Sequence, residues 1–405
     1  MLSQFYDPEP GPAALPGVLA RGLAERGHSV RVVTGFPNYP TGALAPGYRV
    51  SRRTDERLDG VDVVRVALYP NHGTSGARRL ANYASFGASA TSNGVAALRD
   101  MDAVWVNCSP ITLAWPMWAL RGLRVPMVSH VLDLWPDSFY ATGFGERFRE
   151  GAASGLLDRW TISMYRVSHS VAYISPSVGD LLAERGVPRD KLHYVPMWAD
   201  ETRFRPATPD RAAWEIPDDA VALLYAGAIG DAQGIDTLVA ACREIADPRF
   251  VCLIAGSGTA ESAVRAQAAD VPNVRLLGRV PQEQMTSLMA SVDASYISLR
   301  PHPLARFSIP SKTQAALAAG KPVVVASDGD VIDVIRASGA GFTARQDDPS
   351  SIVAAIRGLL EAGDEGRARA GAAGRRYYEQ QFSAGTGIER VEVLLQDAAG
   401  TRRRS

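Results

Sequence analysis

The sequence predicts an α/β protein made of two Rossmann-like domains facing one cleft. Three observations predict this class. Short β-branched runs alternate with helical apolar runs in both halves of the chain. A polar stretch at 196–209, bounded by prolines, separates the two series. The chain of 405 residues is also too long for one hydrophobic core, so two domains of roughly 200 residues each are expected.

Composition excludes several classes of function. Lys plus Arg and Asp plus Glu are 43 each, for a net charge of +0, so the whole chain shows no electrostatic footprint for nucleic acid. Cys108, Cys242 and Cys252 are odd in number and far apart. They form neither a disulfide framework nor a ligand cluster and are expected in the core. There is no apolar run of the roughly 18 residues a membrane span needs, and the start lacks the layout of a signal peptide. A reducing cytoplasm is the expected location. Lysine occurs only at 191, 312 and 321. The arginines that end the chain read as a frayed tail, with attraction to anionic lipid as the second reading.

Each element follows from local pattern. Residues 1–5 are short for a first strand, and 6–14 form the Pro/Gly-rich loop above its carboxyl end, where open α/β sheets bind ligands. A helix is expected over 18–26, stopped by Gly27, then a strand over 30–33. Further strands are expected at 61–66, 103–106, 127–131, 170–174 and 191–195. A long helix is expected over 80–98 and another over 115–123. The latter carries Trp115, Trp118 and Arg121 and reads as a core helix, or as a surface for a lipid acceptor or membrane. After the linker, strands are expected at 221–226, 250–255, 274–277, 294–298, 323–325 and 341–343. Helices fall between them at 235–245, 261–269, 282–291, 312–319 and 350–361, with a last one over 372–395.

The stretch from 306 to 326 organises the second half. A loop, Ser308-Ile309-Pro310-Ser311, leads into an Ala/Leu-rich helix with Ser311 as the expected N-cap, and Gly320 stops it. Such a helix start offers unpaired N–H groups and a positive dipole end, and Lys312 adds a charge beside them. Two readings stay open here: an anion site, or an ordinary αβ unit with Lys312 solvated.

Ile309-Pro310-Ser311-Lys312, followed by Ala318-Ala319-Gly320-Lys321-Pro322-Val323, resembles the donor-site motif of family 4 glycosyltransferases, nearest to the O-antigen and capsule branch. Pro8-Glu9, 26–34, 37–42, 133–137, 174–177, 225–230 and Gln233-Gly234 agree with it in order over nearly the whole chain. The resemblance implies the GT-B fold. Residues 1–198 would be an acceptor-side domain, 199–212 a linker and 213–375 a donor-binding domain, with 376–405 a helix crossing back. It also implies a retaining transfer of sugar from an activated, nucleotide-diphosphate donor to a hydroxyl or amine, the leaving phosphate helping to deprotonate the acceptor.

Diphosphate departure builds negative charge, so helix starts, backbone N–H groups and cations should converge on it. The donor candidates are Gly11, Gly227, Ile229, Gly230, Gly256, Gly258, Arg279, Ile309, Pro310, Ser311 and Lys312, with Arg300 as a further cation. Each glycine loop can equally be a tight turn without a ligand. His130, Asp133 and Asp137 are the catalytic candidates. Asn38, Tyr39, Asn82, Ser109 and Trp135 are the acceptor-side candidates, and Asp133 and Asp137 could instead cap their Pro-containing loop. No metal site is expected, and no cofactor is expected beyond the nucleotide sugar as substrate. The expected partners are a small-molecule donor and acceptor, with weak membrane contact and no nucleic acid.

The chain departs from the family pattern at five places. Pro12 stands where a second glycine would offer its N–H. Asp231 stands where an arginine is common at the phosphate clamp, with Gln233 two further on at a Lys-or-Gln position, and Phe307 and Ala315 replace two acids, one of which usually grips the ribose hydroxyls. A basic residue that commonly precedes Asp133 is Leu132, with His130 two positions earlier. Each lost charge-assisted contact removes about 1.5–3 kcal/mol. Two alternatives to an ordinary transferase follow: a GT-B biosynthetic enzyme with an atypical donor or coupling chemistry, or a non-catalytic homologue acting as a partner protein.

Overall fold

In the computed structural model, all residues are described except 10–14, 74, 141–144, 147, 148, 150, 151 and 405, with only the backbone described at 152, 153, 403 and 404. The chain divides into two units: Met1–Pro196 together with Gly387–Ser405, and Met197–Thr386.

The first unit is built on β1 (Arg31–Gly35), β2 (Arg53–Leu58), β3 (Val61–Val66), β4 (Val104–Cys108), β5 (Met127–Val131), β6 (Ser170–Tyr173) and β7 (Leu192–Tyr194). They pair in two runs, β1-β3-β2 and β4-β5-β6-β7, parallel except for β2 against β3. Leu2 bridges the runs, because it pairs with both Val33 and Val106. Residues 1–5 thus occupy the place of a first strand but contribute only an isolated bridge. Strand β2 reads Arg-Thr-Asp-Glu-Arg-Leu and lies on the exposed edge, so it carries no apolar alternation by which to recognise it.

Helices α1 (Leu15–Glu25), α2 (Gly76–Ser89), α3 (Val95–Leu98), α4 (Ala114–Gly122), α5 (Asp137–Tyr140), α6 (Ala152–Val167) and α7 (Pro176–Glu184) complete this unit. The single helix expected over 80–98 is two helices joined by a π-helical turn, Ala90–Gly94. Thr91 and Ser92 hydroxyls there donate back to the Gly87 and Ala88 carbonyls, which competes with the regular ladder. Gly94 passes so close to β1 that a Cβ would lie 2.5 Å from Val33 Cγ1.

The second unit contains a six-stranded, wholly parallel sheet of β8 (Val221–Ala226), β9 (Phe250–Ala255), β10 (Val274–Gly278), β11 (Ala294–Ser298), β12 (Val323–Ala326) and β13 (Gly341–Ala344). Its order is β10-β9-β8-β11-β12-β13, so the direction of winding reverses between β8 and β11. The helices are α8 (Ile235–Arg243), α9 (Glu261–Ala268), α10 (Met285–Ser291), α11 (Ser311–Ala318), α12 (Asp330–Ser338), α13 (Pro349–Glu361) and α14 (Gly363–Gln381). Alternation along β8 sends Leu223 and Tyr225 into one apolar layer with Ile254, Leu238 and Ile356. Ala222 and Leu224 go into another with Leu253, Leu288 and Met289. Cys242 and Cys252 are free and packed in the first of these layers, and Cys108 is free and buried in the other unit.

The helix expected over 372–395 is broken. After α14 the chain turns at buried Phe382, and α15 (Ala384–Arg404) begins with its Ala384 amide donating to Glu201 at 2.8 Å. The part of α15 belonging to the first unit is fixed there by Glu392 to Arg26 and His28, at 2.8 and 2.7 Å. Asp397 pairs with His169 at 2.8 Å.

Arg65 on β3 fastens the first unit internally. Its side chain is fully buried, and its guanidinium donates to the carbonyls of Gly35 (3.1 Å) and Asp7 (2.5 Å) while pairing with Glu56. Lysine has too few donors, in the wrong geometry, to replace this fork. Arg65→Lys is expected to destabilise the first unit by about 2–4 kcal/mol and Arg65→Ala by more, read as a shift in the midpoint of denaturant unfolding.

Candidate active site

In a parallel sheet, ligands bind at the carboxyl ends of the strands where the winding reverses. In the second unit that place is the end of β8, where the chain runs into Gly227. Backbone packing fixes this loop. The Gly227 amide donates to the Ala255 carbonyl at 2.9 Å, and Ile229 donates to Ser257 at 3.0 Å. Gly227 and Gly256 have φ of +152° and +144°, a region that side-chain-bearing residues avoid. A Cβ on Gly256 would sit 1.8 Å from the Gly227 oxygen, and one on Gly258 would sit 2.3 Å from the Ile229 oxygen. The glycines of the two loops therefore let backbone meet backbone, and Ile229 is buried beneath them.

Lys312 lies over this loop. A Cβ on Gly227 would be 2.4 Å from Lys312 Cε and 2.8 Å from its Nζ, so a side chain there would displace the ammonium. The Nζ stands 4.8 Å from the ring centroid of Tyr225 on β8, a cation–π distance. The Tyr225 hydroxyl donates to the Ala228 carbonyl. Burial pushes the Lys312 ammonium down to a pKa of about 8. Among the described residues no carboxylate pairs with it. Lys312 is therefore a half-buried, partly desolvated cation rather than a freely solvated one.

The cap of α11 differs from expectation. Pro310, not Ser311, is the N-cap residue, and there is no side-chain cap hydrogen bond. The Pro310 carbonyl accepts from Thr313 N at 2.8 Å, and Ser311 is exposed at the first helical position. Ile309 before it is half-buried. The first amides of α11 lack intrahelical acceptors, as at any helix start. The sequence reading missed Thr313 and Gln314 in that first turn. Both are buried, and Thr313 Oγ1 and Gln314 Oε1 have no hydrogen-bond partner among the described residues. Their signal was two polar side chains within an otherwise Ala/Leu-rich run.

The remaining donor-side candidates divide. Arg279 is exposed just beyond β10, next to Gly278, whose carbonyl takes the Gly256 amide at 2.7 Å. It forms no ion pair among the described residues. The charge of Arg300 is used locally, by Asp236 and by Asp347 at 3.4 Å. Asp231 is exposed, while the Gln233 side chain accepts from the Gly230 amide at 3.2 Å. The Phe307 ring lies 4.5 Å from the Arg306 guanidinium, and Ala315 is buried inside α11, so neither position offers a hydrogen-bonding side chain. Gly11 and Pro12 lie outside the described residues.

In the first unit several candidates turn out to be structural. His130, expected to act in catalysis, is 3 % exposed on β5 and packs against Trp105 at 5.0 Å. Its Nε2 meets the Val195 carbonyl at 3.0 Å, and burial lowers its pKa to about 4. A neutral, enclosed imidazole cannot reach an acceptor. Asn38 and Asn82, expected on the acceptor side, are both buried. Asn82 donates to Tyr69 O at 2.7 Å and to Asn38 Oδ1 at 3.4 Å, and accepts from Gln4 at 2.5 Å. The site reading passed over Glu9, a buried carboxylate that accepts from the amides of Asn38 (2.8 Å), Tyr39 (3.0 Å) and Tyr6 (3.1 Å). Burial raises its pKa against those three bonds.

The other first-unit candidates keep accessible groups. Tyr39 is 37 % exposed, edge-on to Phe5 and His72. Ser109 donates to exposed Asp133, which brings two candidates from the ends of neighbouring strands together. Asp137 is paired with Arg185 at 2.7 Å, and Trp135 stacks on Phe139 with centroids 5.7 Å apart. Among the described residues no three His, Cys, Asp or Glu side chains group as a metal site requires.

Residues 11–198 match the glycosyl transferase 4-like domain, and residues 220–362 match the glycosyl transferases group 1 domain. The chain is 26 % identical over 336 residues to WcaI of Escherichia coli strain K12, which bears the name of a colanic acid biosynthesis glycosyl transferase, covering 80 % of this chain and 81 % of that one. The structure resembles sucrose-phosphate synthase from Thermosynechococcus elongatus, with a TM-score of 0.73 at 16 % identity over 97 % of this chain and 94 % of the other. It also resembles Anabaena HepE, solved in complex with UDP-glucose, with a TM-score of 0.65 at 16 % identity over 98 % of both chains. With both halves matched in order and the same two-unit parallel α/β architecture, the chain belongs to the family 4 glycosyltransferases of the GT-B fold.

Proposed function

We propose that this glycosyltransferase uses a nucleotide-diphosphate sugar and transfers its sugar, with retention, to a hydroxyl or amine acceptor. The observation that carries the reading is Lys312: an unneutralised ammonium beside the open start of α11 and over the Gly227 loop. A folded protein has little reason to bury a cation without a counter-charge unless an anion arrives to complete it. The complex of HepE with UDP-glucose lends support by analogy of fold. The motif resemblance and the likeness to WcaI favour a growing surface polysaccharide as acceptor class.

On this reading the diphosphate lies against the Ser311 and Lys312 amides, with Lys312 Nζ at its charge and Arg279 as the second cation. As the sugar C1–oxygen bond breaks, the charge that develops on the leaving phosphate is stabilised by these fixed groups, which are worth more in a dry site than in water. The acceptor oxygen bonds to C1 on the same face, and its proton passes to the departing phosphate. On the acceptor side Asp133, held by Ser109, is the accessible carboxylate that can orient a sugar hydroxyl.

A second reading, an atypical donor, is favoured by Asp231 and by the apolar Phe307 and Ala315. Calorimetric titration with a panel of nucleotide sugars, with nucleotide release followed by mass spectrometry, separates the two. Micromolar binding and turnover of one common donor would sink the atypical reading, and silence across the panel would sink the ordinary one. On the ordinary reading, Asp231→Arg is expected to tighten binding of the free nucleoside diphosphate by about tenfold or more, measured in the same titration.

Lys312→Met should act in opposite directions on stability and function. Turnover falls by about a hundredfold or more if one charge-assisted contact to the leaving group is lost. The ligand-free protein, relieved of a buried charge, gains on the order of 1–3 kcal/mol of stability at neutral pH. The pH dependence has a definite sign. In the folded protein Lys312 deprotonates near pH 8, against 10.5 for the ordinary side chain. Below pH 8 both states carry the charge and the folded state bears its desolvation, so this contribution makes the ligand-free enzyme more stable as pH rises from 8 toward 10.5. Donor affinity falls over the same rise. Thermal melts of wild type and Lys312→Met across that window should converge as pH increases, and parallel curves would contradict the assignment.

A further inference from the structure

Helices α4 and α6 pack together and present an unusual surface. Trp118 on α4 is 38 % exposed and Leu156 on α6 is 66 % exposed. Trp160 joins the two helices, with its ring 5.2 Å from Trp118 and 6.2 Å from Trp115. Trp160 lies four residues after Leu156, so the two share one side of α6. Leu123, just after α4, is 40 % exposed. This apolar surface is rimmed by cations. Arg121 follows Trp118 by three residues, and Arg159 follows Leu156 by the same interval. Arg124 and Arg166 are exposed further along. None of these four arginines forms an ion pair among the described residues. The exposed acid on this part of α6, Asp158, falls on the flank away from Trp160 at 100° per residue.

We infer that the α4–α6 face is a docking surface for an anionic lipid bilayer. Exposed tryptophan and leucine ringed by unneutralised arginine match the two components of such a surface: an apolar interface in which indole rings settle and a layer of negative headgroups. Charge complementarity decides between occupants. A second copy of this chain would bring the same four cations face to face in a two-fold contact, whereas headgroups neutralise them. Among the described residues no helix is long and apolar enough to cross a membrane, so the contact is peripheral. The inference does not rest on the donor-site reading and needs no substrate to test.

The test uses the full chain with vesicles of phosphatidylcholine alone or mixed with phosphatidylglycerol, by co-sedimentation and tryptophan fluorescence. The expected result is binding to the anionic vesicles only, with a blue-shifted emission and release in roughly 1 M salt, where screening is nearly complete. Arg121→Gln with Arg159→Gln should lower partitioning about 25-fold, taking about fivefold for each cation at the surface. Trp118→Ser should lower it and remove most of the emission shift. Should Trp118→Ser unfold the protein, the exposed arginine pair carries the test. Equal affinity for both vesicle types would overturn the inference, as would arginine variants that bind like wild type. A dimer in light scattering that Trp118→Ser dissociates, without vesicle binding, would assign the face to self-association instead.

Discussion

The chemistry proposed for the second unit turns on an ammonium that, among the described residues, no carboxylate neutralises. Lys312 could have been solvated, or paired with an acid as Arg300 is with Asp236 and Asp347. Instead it is half-buried and its Nζ rests near the face of Tyr225, a contact worth about 1–2 kcal/mol when desolvated. That is less than the cost of removing a cation from water, and the lowered pKa expresses the difference. The arrangement stands because the rest of the unit is rigid there. Gly227 leaves the space, Gly256 lets the neighbouring loop close underneath, and Tyr225 is anchored to Ala228. A charge held this way needs no rearrangement when an anion arrives, and that is the physical content of preorganisation.

The first unit handles buried charge in the opposite way. Arg65 and Glu9 are more fully enclosed than Lys312, and their polar atoms are taken up by carbonyls, amides and, for Arg65, a carboxylate. Glu9 ties the turn after Tyr6 to the loop at Asn38 and Tyr39, while Gln4, Asn82 and Asn38 pass hydrogen bonds from the first residues to α2. Such networks rigidify when satisfied and are costly when broken. They shape the loops above the sheet, and on the proposed reading Tyr39, Ser109 and Asp133 are the groups left to meet an acceptor. Satisfaction of hydrogen bonds thus separates scaffold from surface among residues whose types alone look equally functional.

That difference also explains what the sequence could and could not disclose. The strands of the second unit were legible because a wholly parallel sheet buries both faces and writes continuous apolar runs such as Val323-Val324-Val325. Strand β2 was not legible, since an exposed antiparallel edge obeys no such rule, and the π turn after α2 goes with the Thr91 and Ser92 back-bonds and the close approach of Gly94 to β1, which apolar spacing does not reveal. At the site, Lys312 stood out through its rarity and its place after Ile309-Pro310-Ser311. Its burial could not be read, because that depends on Gly227 and Tyr225, 85 and 87 positions away in the sequence. His130 misled for the same reason. Strand alternation gives a side chain's face but not what covers it, and here Trp105 and the Val195 carbonyl do. Glu9 looked like one letter of a motif, and only tertiary hydrogen bonds reveal it as a brace.

The departures from the family pattern can now be weighed by position. Gln233 is not an empty clamp, for its side chain caps the Gly230 amide and so holds the glycine loop in shape. Asp231 is exposed, where solvent screens its repulsion to about 1 kcal/mol or less at contact distance. Lys312 acts from inside the protein, where the same charge counts several-fold more. Electrostatics at the leaving group therefore still favours an anion. By the resemblance, the grip on the ribose is what these positions lack, because Phe307 and Ala315 offer no acceptor for its hydroxyls. On the proposed reading, recognition shifts from the nucleoside toward the diphosphate and the sugar. The loss then falls on the choice among nucleotides more than on the chemistry of transfer, since the groups that stabilise developing charge are the ones this chain has kept.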